Sequence, residues 1–299
     1  MKKIIMASIM LVAALTANAQ LKVAPKMQKG LERTYTSEVL TSVPGQEDVK
    51  IISDTKYKVT EANADGYIIE VSTTTFSSDA KADNIVGQIM GLSEEVMKNL
   101  SVRFATDKDG KVQKILNYDE VKVKVNEMAD KLIDKLIETV PQITQMMSKD
   151  MLKQQVVESA TEDNIVKSML TSTSPLALNG MTVMTGAQDE YVNVAGIKMK
   201  RMFFVNGKNI TTNSSMNMSN DEMKQLIIAQ VEKMAPDQAE MIKKNIDAVM
   251  ASGMIKIDMK GTATYELQDD GWVKTIKNEE TQETMGQQAK TTATVTLKQ

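Results

Sequence analysis

The sequence predicts an α+β fold: an antiparallel, curved sheet built from hairpins, able to approach a half-barrel, with amphipathic helices packed on one side. Two observations carry this. Apolar residues alternate with polar ones in runs joined by tight turn pairs, Asp65-Gly66, Asp109-Gly110, Asn206-Gly207 and Asp270-Gly271. Such pairs join antiparallel neighbours, so the strands come as hairpins. Between them lie stretches in which apolar residues recur every three or four positions, the period of a helix with one buried face.

The chain opens with Lys2 and Lys3, an apolar run from Ile4 to Leu15, and Ala17-Asn18-Ala19. These are the three parts of a secretory signal peptide, so residues 1–19 are expected to be cleaved and the mature chain to begin at Gln20. The apolar run falls short of the roughly 20 residues that span a bilayer. No later stretch is apolar enough to cross a membrane, and no Cys follows to carry a lipid. The expected location is therefore periplasmic or extracellular.

The first strand is expected near Leu31–Val39, and a second from Lys56 turns at Asp65-Gly66 into a third. Helical spacing follows in Ile85, Ile89, Leu92, Val96 and Leu100. A hairpin then joins Val102–Phe104 to Val112–Ile115. Asn117 and Glu120 have capping-box spacing, and Val121, Val125, Met128, Leu132, Leu136 and Val140 give the longest helix, ended by Pro141. Ile143, Met147, Met151 and Val156 continue a second helix; Ile165, Val166 and Met169 form a third after Thr161. The run Thr171–Pro175 is the best candidate boundary.

Beyond it, Ile197–Val205 and Lys208–Met218 form a hairpin on Asn206-Gly207. Ser219 and Glu222 repeat the capping box before a helix through Met223, Leu226, Ile227, Val231 and Met234. Pro236 starts another through Met241, Ile242, Val249 and Met250, closed by Gly253. Ile255, Ile257, Met259, Gly261, Ala263, Tyr265 and Leu267 alternate with polar residues, the pattern of a strand with one wet face. Trp272, Val273 and Thr275 return from the next turn, and Ala293, Val295 and Leu297 add a last strand. The halves are thus a β-α-β-α unit over 20–170 and a β-α-β unit over 176–299, as one large domain or two similar ones.

Composition excludes several chemistries. The 299-residue chain has no His and no Cys. Ser-His-Asp and Cys-His catalysis and the usual His-liganded zinc site are therefore absent. Ser53-x-x-Lys56 lacks the companion motifs of a penicillin-binding enzyme and reads as strand. Asp107-Lys108-Asp109-Gly110 resembles the centre of a calcium loop, yet Ala105 and Leu116 occupy the positions of its first and last ligands, so a turn is expected. No phosphate-binding glycine loop occurs. Paired carboxylates stay open among the 39 acidic residues, although 1 Trp, 6 Tyr and 4 Phe offer few platforms for sugars. A net charge of −3, without basic clusters, argues against nucleic acid.

Met supplies 24 residues. Core filling explains most of them, because the side chain is flexible and favours helices. The same flexibility suits a groove for varied apolar ligands, and Met147, Met151, Met169, Met223, Leu226, Met241 and Met250 are its candidate lining. Thioether copper sites at Met216/Met218 and Met146/Met147 lack any His or Cys partner. No catalytic residue, metal site or cofactor is expected.

Gly261-Thr262-Ala263-Thr264-Tyr265, Asp270-Gly271-Trp272, Asp107-x-x-Gly110-x-Val112 before Asn117, and the Ala17–Gln20 processing site together resemble an uncharacterised family of exported proteins from Bacteroidota. More distantly, a curved antiparallel sheet covered by helices is similar in architecture to the lipoprotein carriers of the Gram-negative periplasm, which hold acyl chains between sheet and helices. No activity is carried over from these resemblances; export, the missing catalytic residues, amphipathic helices able to cover an open sheet and abundant Met point instead to a non-enzymatic exported binding or carrier protein for an apolar or lipid-like ligand. The alternative is a structural or interaction protein of the envelope with no small-molecule ligand.

Overall fold

The computed structural model describes residues 20–81, 100–139, 141, 144, 148–193, 195–234, 236–251, 257–284 and 287–298. Residues 1–19, expected to be a signal peptide, the helical pattern from Ile85 to Val96, and Val140, Ile143, Gly253 and Ile255 lie outside them. The strands are β1 (Gln20–Lys22), β2 (Glu32–Ser42), β3 (Val49–Ala62), β4 (Tyr67–Ser78), β5 (Ser101–Thr106) and β6 (Val112–Ile115), then β7 (Thr182–Met184), β8 (Gln188–Val192), β9 (Lys198–Asn206) and β10 (Asn209–Met216), and finally β11 (Ile257–Leu267), β12 (Val273–Thr284) and β13 (Gln287–Leu297). The helices are α1 (Tyr118–Thr139), α2 (Lys149–Ser159), α3 (Glu162–Ser168), α4 (Asn220–Met234) and α5 (Pro236–Ala251). Among the described residues strand outweighs helix, so the sheet dominates.

Eleven strands form one open antiparallel sheet in the order β6-β5-β4-β3-β2-β13-β12-β11-β10-β9-β8, and β1 pairs with β7 separately. The last strand lies against the second, from Tyr35 opposite Leu297 to Ser42 opposite Lys290. The sheet therefore runs unbroken from one half of the sequence to the other. Its two faces follow from the period of two. One face carries Thr and charged residues, with ion pairs across neighbouring strands at Lys50–Glu38 (2.9 Å), Lys58–Glu32 (3.1 Å) and Lys290–Glu279 (2.9 Å). This is a solvent face, and each exposed pair adds little stability.

The other face buries Tyr35, Tyr57, Ile69, Phe104, Phe203, Ile210, Tyr265, Ile276 and Val295. Val121 and Val125 of α1 join this core, as do Val23 and Met27 from the N-terminal segment and Leu176, Ala177 and Leu178. Tyr35 meets Tyr57 edge to face at 5.5 Å, and its hydroxyl donates to the Val273 carbonyl at 2.7 Å. That bond ties β2 to β12 across the intervening β13. The Trp272 indole N–H donates to the Lys26 carbonyl at 3.1 Å, satisfying the polar end of a fully buried ring.

The turns form where the pairs predict. In β3–β4, Asn63 Oδ1 accepts from the backbone N–H groups of Asp65 (2.9 Å) and Gly66 (3.1 Å). A Cβ on Gly66 would lie 2.0 Å from the Thr106 carbonyl, so only glycine fits. Ser53-Lys56 is strand within β3. The segment Thr171–Pro175 leads into Ser174–Asn179, a turn-rich stretch buried along its length.

Two cap spacings have different outcomes. Ser219 and Glu222 complete a reciprocal box: Glu222 N–H donates to Ser219 Oγ (3.2 Å) and Ser219 N–H to Glu222 Oε2 (2.9 Å). Lys198 and both Ser219 bonds hold the Glu222 carboxyl down to about 2. Asn117, in contrast, is buried and clips α1 to β5. Its Oδ1 accepts from Arg103 N–H (2.8 Å), and its Nδ2 donates to the Ser101 carbonyl (3.0 Å) and to Glu120 (3.3 Å).

Candidate functional site

Along β9 the buried positions are Met199, Arg201, Phe203 and Val205, so a guanidinium stands where the pattern asks for an apolar side chain. Opposite Arg201 in the β8 ladder is Asp189. Arg201 Nε donates to Asp189 Oδ1 at 3.0 Å and Nη2 to Oδ2 at 2.6 Å, a two-pronged pair that uses both carboxylate oxygens. The guanidinium carbon also lies 5.2 Å from the Tyr191 ring centre and 4.8 Å from that of Phe203. Two aromatic faces and one carboxylate thus compensate the buried charge.

The same substitution of polar for apolar recurs on β12. Ile276 is fully buried, Asn278 is 7% exposed, and Glu280 follows on the same parity. Asn278 stands between Ala263 and Ala293, and Glu280 between Gly261 and Thr291. The absent side chain at Gly261 leaves room, since a Cβ there would sit 3.0 Å from Ser214 Oγ and 3.9 Å from Glu280 Cγ. Asn278 and Glu280 make no side-chain hydrogen bond or ion pair among the described residues. Burial alone raises the Glu280 carboxyl pKa. Burial is also the main cause of the raised Tyr191 pKa, with Ser214 and Arg201 drawing it back and Glu280 adding to the rise.

These groups surround a cavity of about 390 Å³, within the usual range of roughly 300–1,000 Å³ for small-molecule sites. Its opposite wall comes from residues 170–181 after α3, with Leu170, Ala177, Asn179 and Met181. Asn179 is held in place by donating from Nδ2 to the Gly110 carbonyl at 3.2 Å. Lys111 and Lys167 also line the cavity; Lys111 is exposed, and Lys167 pairs with Asp163 at 2.5 Å. The lining is amphipathic, with thioether and aliphatic surface beside a cluster of hydrogen-bonding groups. A second cavity, about 170 Å³, lies among Tyr35, Ser37, Tyr57, Met169, Ser174 and Val295.

The residues expected to line a ligand groove are dispersed. Met169 lines the smaller cavity. Met151 is half-buried on α2, and Met250 half-buried on α5. Met223 is buried on α4, and Leu226 packs against Ile197, Met199 and Met259, together with Met216 and Met218, and of these Met199 lines the larger cavity. Met241 is 59% exposed. Met147 and Met146 lie outside the described residues. The sequence reading did not single out Arg201, Asp189, Tyr191, Asn278 or Glu280. A signal existed: each of Arg201, Asn278 and Glu280 continues the buried parity of its strand with a polar side chain.

No protein family and no curated protein matches this sequence. Among solved structures, a lipovitellin described by its lipid–protein interactions is similar at a TM-score of 0.40 and 9% identity, covering 92% of this chain. The chain spans 26% of lipovitellin's length. A mutant porin of Rh. blastica is similar at a TM-score of 0.30 and 7% identity, covering 90% of this chain and 99% of the porin. A porin-like protein from Bacteroides uniformis is similar at 0.20 and 12%, covering 90% and 96%. These are loose likenesses, and the chemistry has to be read from the cavity itself. No described helix is long and apolar enough to cross a membrane.

Proposed function

We propose that this is an exported, non-enzymatic binding or carrier protein that holds a small amphipathic ligand between a curved sheet and the segments covering one of its faces. The observation that carries the reading is the cavity of about 390 Å³, walled by β8–β12 and residues 170–181 and lined by apolar groups beside polar ones, of which Asn278 and Glu280 have no side-chain partner among the described residues. Helices on one side of the sheet fit the side-chain parities: Val121 and Val125 pack with Phe104, and Leu226 packs on Met199, which shares a face with Phe203. The ligand expected here has a polar end as well as an apolar body, because Asn278 and Glu280 would be left unpaired against a purely apolar molecule. Of the two carboxylates in the cavity, Asp189 has both oxygens engaged by Arg201, so it is poorly placed to act with Glu280 as an acid–base pair.

Native mass spectrometry and solvent extraction of the protein from its own host test the reading. The expected result is a co-purifying amphiphile that is lost in Ser214→Phe, which fills the cavity from β10. A ligand-free mass, with no uptake of amphiphiles in vitro, would favour a structural role in the envelope.

A further inference from the structure

The charges around the cavity are unequally satisfied, and this bears on which polar end it accepts. Arg201, the guanidinium on its wall, is neutralised by Asp189 and covered by two rings, so it offers little to an anionic headgroup. Glu280 has no cation beside it among the described residues. Asn278 is more than nine-tenths buried, lines the same cavity, and has no partner for its side-chain amide among those residues. Ser214 adds a hydroxyl, and its neighbour Gly261 leaves the approach to Glu280 open. A carboxylate, an amide oxygen and a hydroxyl are acceptors grouped around one space, and even a half-buried carboxylate left without a partner is unfavourable.

We infer that the cavity takes the primary ammonium group of an amphiphile, with Glu280 as its counter-ion, Asn278 and Ser214 as further acceptors, and the apolar body lying against Leu170, Met181 and Met199. An ammonium suits this arrangement better than a quaternary nitrogen because it has three N–H donors to distribute. Charge-assisted hydrogen bonds to a desolvated carboxylate are among the stronger polar contacts, which makes the headgroup the determinant of specificity. The burial that raises the Glu280 pKa is the same unfavourable desolvation that an incoming cation would offset. This inference rests on the carrier reading above and narrows its ligand to one class.

Titration calorimetry of the exported chain with octylammonium, octanoate and 1-octanol separates the possibilities. Octylammonium is expected to bind at least about tenfold more tightly than the other two, and Glu280→Gln to remove at least about tenfold of that affinity while leaving octanol unchanged. Asn278→Ala, which needs no change of charge, is expected to weaken octylammonium selectively as well and covers the case in which Glu280→Gln does not fold. Equal or tighter binding of octanoate or octanol, or full octylammonium affinity in both variants, overturns the ammonium assignment and leaves the carrier reading standing. Absence of binding by all three probes overturns both.

Discussion

Removing Asp189 from beneath Arg201 should unbalance the cavity wall more than removing both charges together. Arg201 has a side chain only 11% exposed, and Asp189 29%, so the pair is well shielded from solvent. Breaking a buried pair by deleting one partner costs about 3–5 kcal/mol where the remaining charge is left dry and alone. Here the guanidinium retains the Tyr191 and Phe203 faces and lies beside a cavity that water can enter, which lowers the expected cost of Asp189→Ala to about 2–3 kcal/mol. At about 2–4 °C per kcal/mol for a large domain, the melting temperature should fall by about 4–12 °C. Arg201→Met in the Asp189→Ala background replaces the orphan cation with an apolar side chain of similar length. That double variant should recover part of the loss, because a hydrophobic pair of similar volume commonly equals or exceeds a buried ion pair in stability. Chemical denaturation of wild type, both single variants and the double variant closes the cycle. Additive losses, or an Asp189→Ala loss below about 0.5 kcal/mol, would show that the pair is hydrated and that the wall is not built as described.

Two further outcomes follow from contacts elsewhere in the sheet. Tyr35→Phe removes the hydroxyl that donates to the Val273 carbonyl while keeping the ring against Tyr57, so a loss of about 1–3 kcal/mol in denaturant unfolding is expected, and no loss would mean that the carbonyl finds another donor. Asp54 is buried on the solvent-facing side of β3; burial raises its pKa, but bonds from Lys298 Nζ (2.6 Å) and Thr36 Oγ1 (2.7 Å), with Thr75 and the Lys298 charge, outweigh this and lower it overall. A folded pKa below the unfolded one gives stability that is present above the unfolded value, near pH 4, and lost as pH falls through the folded value. The stability difference between wild type and Asp54→Asn should therefore be constant above about pH 5 and shrink below pH 4, and a constant difference down to pH 2 would contradict the assignment.

Much of the sheet was legible because its turns and its alternation agree. β11 shows the outcome most clearly: Met259, Ala263, Tyr265 and Leu267 are buried while Lys260 and Thr262 are exposed. The Asp109-Gly110 pair, despite its partial likeness to a calcium loop, forms a turn in which Asp107 Oδ1 accepts from the backbone N–H groups of Asp109 (2.9 Å) and Lys111 (3.0 Å). Sequence alone read β12 only as far as Thr275, whereas the strand continues to Thr284. The residues beyond are Ile276-Lys277-Asn278-Glu279-Glu280-Thr281-Gln282-Glu283, a run too polar to give a hydrophobic period. Its partners on β11 and β13 supply the ladder, so tertiary context overrides a weak local signal. The short strands β1, β7 and β8 were missed for the same reason.

The candidate site was hidden by that same polarity. A search for ligand-binding residues among apolar stripes selects helix positions such as Met241, which points to solvent, and passes over strands whose buried parity is interrupted by charge. Yet an interruption of that kind is informative once the neighbouring residues are fixed. Ile276 establishes which face is buried, so Asn278 and Glu280, two and four residues later, must point the same way. Polar groups on that face need a partner or a space, because the alternative is an uncompensated desolvation cost. On β9 the partner is internal, and Arg201 closes on Asp189. On β12 the described residues provide space instead: Gly261 has no side chain, Ser214 is small, and the wall of residues 170–181 stands off to leave the cavity. The contrast between a satisfied charge on one strand and an unsatisfied one three strands away is what makes the second the better candidate for contact with a ligand.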